Sequence, residues 1–119
     1  MRSAVGVLLV LACSAPSATA AEIETLLVTI RSIDRDASGS LEAAKALREL
    51  TTADAGVLPR VLAAFRGANP LAVNYLRGAA ETIADRSLAS GKPLPAKAIE
   101  AFIVDRANDP RARRLGYEL

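Results

Sequence analysis

Residues 58–84 read LPRVLAAFRGANPLAVNYLRGAAETIA, and the fold class follows from this stretch. Leu58, Val61, Leu62 and Phe65, together with the preceding Val57, recur at the spacing that lines one face of a helix. Asn69-Pro70 then interrupts the pattern in a particular way. Asn is a strong N-cap residue, and Pro fits the first helical position, where a backbone N–H has no intrahelical partner. A second apolar stripe follows, Ala72, Leu76, Ala79, Ala80 and Ile83, with Leu88 as its expected end. The segment therefore predicts two amphipathic helices joined by a short turn.

The same pattern extends in both directions. Upstream, Ile23, Leu26, Leu27 and Ile30 form one stripe, and Leu41, Ala44, Leu47 and Leu50 another. Downstream, Ala98, Ile99, Phe102 and Ile103 form a fifth stripe, and Ala112, Leu115 and Leu119 a sixth. No stretch alternates with period two over a useful length, so no strand is expected. Thr51 and Asp54 are spaced like a capping box ahead of the third helix. Gly91, after Ser90, is placed to end the fourth helix in a left-handed turn. The connections are short, so successive helices are expected to pack as antiparallel hairpins. Asn69-Pro70-Leu71-Ala72 recurs as Asp109-Pro110-Arg111-Ala112, and each copy is preceded by a helix opening on Leu-Pro (Leu58-Pro59, Leu94-Pro95). A helix pair repeated at this period is the signature of an α-solenoid.

These residues resemble a HEAT repeat. Leu58-Pro59 is similar to the Leu-Pro of the family's first helix, and Asn69-Pro70 to the Asp-Pro that opens its second. Leu62, Ala72, Ala79 and Ile83 fall on its core positions. Residues 94–119 look like a second, shortened copy, so the resemblance covers about half of the chain beyond Ala20. The wording is also similar to secreted bacterial HEAT-like proteins. The family often joins repeats through an Asp in the turn and an Arg in the second helix. Gly67 and Val73 stand at those positions here, and Arg113 fits in the second copy. The resemblance implies an all-α fold, a short solenoid of about three antiparallel helix pairs used as a binding scaffold, usually without catalysis. Such an array needs roughly three repeats and polar ends to be stable alone. The hydrophobic pattern still runs at Leu119, so the helical domain, residues 21–119, is expected either to be cut short at its C-terminus or to have that face covered by a partner.

The first 20 residues have a different character. Arg2 is followed by an unbroken apolar run from Ala4 to Ala12, broken by Ser14-Ala15-Pro16-Ser17, and then by Ala18-Thr19-Ala20. A positive start, a short apolar run and small residues at the cleavage positions make a secretory signal peptide, residues 1–20, with cleavage between Ala20 and Ala21. The run is too short to span a bilayer. The expected location is therefore the periplasm or the exterior, with no membrane insertion after processing. Cys13 gives a loose lipobox, but Leu11 fits poorly beside it and the A-x-A site is the clearer reading. Cleavage after Ala20 would leave no cysteine, and so neither a disulfide nor a thiolate nucleophile.

Composition excludes several functions. Of 15 Lys and Arg, Arg2 leaves with the leader, so 14 face 13 Asp and Glu, a net charge of +1. A balance this even provides no field to hold a nucleic acid. Only two Phe and two Tyr are present, too few for a set of base-stacking platforms. There is no His, which removes Ser-His triads and His-based zinc sites. No phosphate-binding glycine loop or nucleophile elbow occurs. The run from Asp34 to Gly39 (DRDASG) begins like a calcium loop, but Lys45 stands where the bidentate carboxylate belongs, so it reads as a polar turn. Glu81 and Asp85 lie one helical turn apart, and an acid–base pair would need environments that separate their pKa values. No catalytic residue, cofactor or metal is assigned, and the expected partner is a protein. The residues expected to meet it are Asn74, Arg77 and Glu81 on one face of the fourth helix, and Arg113 and Arg114 in a basic run with Arg111. The bland alternative is a solvated face laced with pairs such as Arg77–Glu81. Tyr75 and Tyr117 read as packing residues with a wet hydroxyl.

Overall fold

The computed structural model describes residues 19–34 and 36–119. The described residues are helical, with six α-helices and no strand: α1 (Ala20–Arg31), α2 (Ser40–Leu50), α3 (Leu58–Ala63), α4 (Pro70–Ala89), α5 (Ala96–Val104) and α6 (Pro110–Glu118). A single 3-10 turn, Ala55–Val57, runs directly into α3. Among the described residues no helix is long and apolar enough to cross a membrane.

Local chemistry sets most of the boundaries. Thr19 and Glu22 form a capping box at the start of α1, each side chain meeting the other's backbone amide. The Asn69 side chain accepts from the Ala72 amide at 2.9 Å and opens α4. Asp109 does the same for α6, accepting from the Arg111 amide at 2.8 Å. Pro70 and Pro110 occupy the first helical positions. Gly91, at φ +75°, closes α4: its amide bonds the Leu88 carbonyl, and the Lys92 amide reaches back to Ser87. That double bond is the Schellman arrangement, and its left-handed residue favours glycine.

Helices pack in sequence as pairs, α1 with α2, α3 with α4 and α5 with α6. The first pair meets the second through α4, and α3 carries the contact to α5 and α6. One continuous core results. Ile23, Leu27, Ile30, Ile33 and Leu50 come from the first pair, Leu58, Val61, Leu62, Phe65, Leu76 and Ile83 from the second, and Ile99 and Leu115 from the third. Each such side chain contributes about 1.5–3 kcal/mol when fully buried.

Several expectations are corrected. Leu41 is 76% exposed and Leu88 57% exposed. The buried face of α2 is Ala43, Ala46 and Leu50, and α4 closes its core with Ala84 and Ser87. Small residues take these buried positions, and Leu41 and Leu88 fall on the exposed side. Ala98 is exposed, leaving Ile99 as the buried residue of α5. Thr51 and Asp54 form no capping box; the Thr51 hydroxyl donates to the Arg48 carbonyl at the end of α2. Helix α3 stops at Ala63, and Phe65 is buried in the tightened i→i+3 turn that follows.

The turns inside the three pairs lie along one edge and are tied to one another. Arg31 donates from its guanidinium to the Arg66 carbonyl at 2.7 Å, and Arg66 donates to the Ala107 carbonyl at 2.7 Å. Bonds also run backwards. Asn69 Nδ2 donates to the Ile33 carbonyl at 2.6 Å, and Arg111 Nη2 donates to the carbonyls of Phe65 and Ala68 at 3.2 and 3.3 Å. On the opposite edge Arg86 donates to the Thr51 and Ala53 carbonyls, and Arg60 to the Ala20 carbonyl at 3.4 Å.

Candidate functional site

Asn74, Arg77 and Glu81 lie along α4, three and four residues apart, a spacing that stacks them on one face. Asn74 and Glu81 are exposed, and the Arg77 side chain is 43% exposed. Arg77 Nε meets Glu81 Oε1 at 3.1 Å, and its Nη2 meets Glu118 Oε2 at 2.5 Å. Glu118 also receives Arg114 Nε at 3.5 Å. Three of the expected residues, Arg77, Glu81 and Arg114, are thus joined through Glu118 into a network running from α4 to α6. Glu118 was not among the sequence candidates. Its partner Arg77 is 41 residues away in sequence, and only the Arg114–Glu118 spacing hinted at it.

The basic run on α6 separates into three roles. Arg114 points outward and is 83% exposed. Arg113 Nε donates to the Ile103 carbonyl at 2.6 Å, which satisfies an orphan carbonyl in the last turn of α5. Arg111 clasps Asp109, its Nε at 3.2 Å from Oδ1 and its Nη2 at 2.9 Å from Oδ2. Arg111 therefore holds the Asp109 carboxyl below its usual value, its side-chain hydrogen bond outweighing the opposing effect of burial. Asp109 in turn raises Arg111. This pair serves the helix cap and the turn edge, so Arg113 and Arg111 stand apart from the α4–α6 network.

The network offers mixed charge and little intrinsic energy, since exposed pairs contribute about 0–1 kcal/mol each. It can present a carboxylate, a guanidinium and the Asn74 amide to a polar surface. Glu81 and Asp85 both lie in the open. Among the described residues no group of three or more Cys, Asp or Glu side chains is gathered to hold a metal. The calcium-like run closes on itself: the Asp34 amide bonds the Ser38 carbonyl, the Ala37 amide the Asp34 carbonyl, and Asp36 Oδ1 accepts from the Ser38 amide. Tyr75 packs against the core as expected, but Tyr117 is 82% exposed and packs against nothing comparable.

Two concave features were not foreseen. A polar cleft of about 350 Å³ lies between the 3-10 turn and the end of α4, lined by Asp54, Gly56, Arg86, Ser87, Ser90 and Lys92 among others. A more apolar groove of about 480 Å³ runs between α1 and α2, lined by Ala21, Glu22, Thr25, Leu26, Glu49 and Thr52. At the expected processing site, Ala20 and Ala21 lie in the first turn of α1. Ala18, Cys13 and the other residues of 1–18 lie outside the described residues. Compared with protein-family models, with curated proteins and with solved structures, the chain matches none.

Proposed function

We propose that the chain is an exported, non-catalytic protein-interaction scaffold built from HEAT-like helix pairs. The observation that carries this reading is the row of turns along one edge, each tied to the next by a guanidinium or amide donating to a backbone carbonyl. Such rungs do the work that an Asp–Arg ladder does in the resembled family, and they support reading the pairs as units of a short solenoid. Export rests on residues 1–20 alone, with their positive start, apolar run and Ala18-Thr19-Ala20. The recognition surface of this reading is the face holding Asn74, Arg77, Glu81 and Arg114; Arg113, expected with them, is bonded to the Ile103 carbonyl and stands apart from it.

A purely structural or spacer module of a larger envelope protein is the second reading. It is favoured by one observation: Arg77 already spends its guanidinium on Glu81 and Glu118. Capture from envelope extract separates the two. The scaffold reading expects a specific protein on the tagged chain, weakened about tenfold or more when Arg77 and Arg114 are both replaced by Ala, since a few central residues carry most binding energy. Equal capture by the folded double variant assigns the binding elsewhere, and a clean bait that captures nothing supports the spacer. N-terminal sequencing of the envelope form checks export directly: Ala21 as first residue is expected, and an intact Met1 in the cytoplasm overturns it.

A further inference from the structure

The polar cleft holds charges that the fold leaves unpaired. It lies where the linker between α2 and α3 meets the end of α4, and Asp54, Arg86, Ser87, Ser90 and Lys92 are among its walls. Arg86 donates from Nη1 to the Thr51 carbonyl and from Nη2 to the Ala53 carbonyl. Those bonds fix the guanidinium in place, yet both acceptors are neutral, so its charge has no counter-ion. Lys92 and Asp54 are exposed, and among the described residues neither enters an ion pair, with the other or with any third group.

Two hydroxyls complete the pattern. Ser87 is buried, and its Oγ donates to the Lys92 carbonyl at 3.2 Å. Ser90 Oγ donates to the Ser87 carbonyl at 2.9 Å. A hydroxyl has one hydrogen and two acceptor lone pairs. With the hydrogens spent on carbonyls, both serines meet a ligand as acceptors only. The cleft therefore offers donors on Arg86 and Lys92, and acceptors on Asp54, Ser87 and Ser90. An inorganic anion would use the two cations and leave Asp54 opposing it. A simple amine would use Asp54 and leave two cations opposing it. A ligand with two carboxylates and one ammonium answers all three charges. The volume of about 350 Å³ is at the small end for ligand sites, the size range of an amino acid.

We propose that this cleft binds a free acidic amino acid, its carboxylates directed at Arg86 and Lys92 and its ammonium at Asp54 and the two serines. The site shares no residue with the Asn74, Arg77 and Glu81 face, so it survives failure of the scaffold reading. Its parts are held before a ligand arrives, Arg86 by the linker carbonyls and the serines by the turn that closes at Gly91, which lowers the ordering cost of binding. Isothermal titration calorimetry of the full chain with L-glutamate tests it. Saturable binding at one site is expected. Glutarate, which lacks the ammonium, and γ-aminobutyrate, which lacks one carboxylate, should each bind about tenfold or more weakly, the size of one hydrogen bond to a charged group. Lys92→Ala and Asp54→Asn should each weaken glutamate binding about tenfold for the same reason. Both side chains are exposed and support no other contact, so circular dichroism should show unchanged helix content. No saturable binding by the folded parent, glutarate or inorganic phosphate binding as tightly as glutamate, or folded variants that bind like the parent would each overturn the proposal.

Discussion

Asp109 joins a helix cap, an ion pair and a turn. It accepts from the amides of Arg111 and Ala112, and its side chain, 13% exposed, is clasped by the same Arg111 that reaches the carbonyls of Phe65 and Ala68. Asp109→Ala should therefore cost about 1–2 kcal/mol, the upper part of the range for a lost N-cap. Urea denaturation at neutral pH measures it. The pH dependence has a definite sign. The folded carboxyl sits below its ordinary value, so folding favours the ionised form. That contribution is complete above the ordinary carboxylate range, declines as pH falls through about 4, and is lost once pH passes the lowered folded value. The gap between parent and Asp109→Ala should accordingly narrow in acid; a gap that widens there would contradict the assignment. Asp109, Asn69 and Gly91 were legible in the sequence because a cap or a left-handed turn is decided by residues within a few positions of each other. Thr19 was not, because its place beside the apolar leader drew it into the reading of a cleavage site.

Two glycines in helices separate local preference from packing. Gly78 lies exposed within α4, and a Cβ built there meets nothing within 4 Å. Gly78→Ala should stabilise the protein by about 0.5–1 kcal/mol through lower backbone entropy in the unfolded chain and better helix propensity. Gly116 is buried in α6, where a Cβ would stand 3.2 Å from Ile103 Cγ1, 3.4 Å from Leu62 Cδ1 and 3.5 Å from Ile99 Cγ2. Here α3, α5 and α6 meet, and Gly116→Leu should destabilise by about 2–3 kcal/mol through overpacking. Thermal melts of the two variants moving in opposite directions would confirm the contrast. The periodicity of six helices was readable, because apolar residues at helical spacing have to be buried somewhere. Which residues of each stripe form the centre was not. Leu41 and Leu88 lie exposed while Ala43, Ala84 and Ser87 are buried, because which side of a helix meets its neighbour is a property of the assembled pairs and not of one stripe.

Across the whole molecule, the rungs couple pairs that share only part of their apolar surface. Arg66 is the hinge of that series, accepting from Arg31 on its carbonyl and donating to Ala107 from its side chain. Arg66→Ala should lower global stability by about 1 kcal/mol, the size of one hydrogen bond from a charged donor near solvent. It should also raise amide exchange in α5 and α6 more than in α1 and α2, because the third pair is held by α3 and by these bonds. Uniform exchange across all six helices would show that the rungs carry no local coupling. None of these bonds was visible in the sequence. Their acceptors are main-chain carbonyls 35 to 46 residues away, and a carbonyl leaves no trace in side-chain identity. The candidate face was legible in part for the same reason: Arg77–Glu81 is a local spacing, whereas Glu118 joins it only through folding.

The capping box at the start of α1 has a bearing on the order of events in the life of the chain. Thr19 and Glu22 close the first turn around the Ala20–Ala21 peptide bond, and Arg60 of α3 reaches the Ala20 carbonyl. A processing enzyme that needs an extended strand would find that bond wound and pinned in the finished fold. Cutting there also removes the cap and leaves a cation at the positive end of the helix dipole, where it is unfavourable. Under the proposed processing, maturation and folding would compete for the same four residues: a chain that folded early would keep residues 1–20, and one cut early would fold with α1 frayed at its first turn.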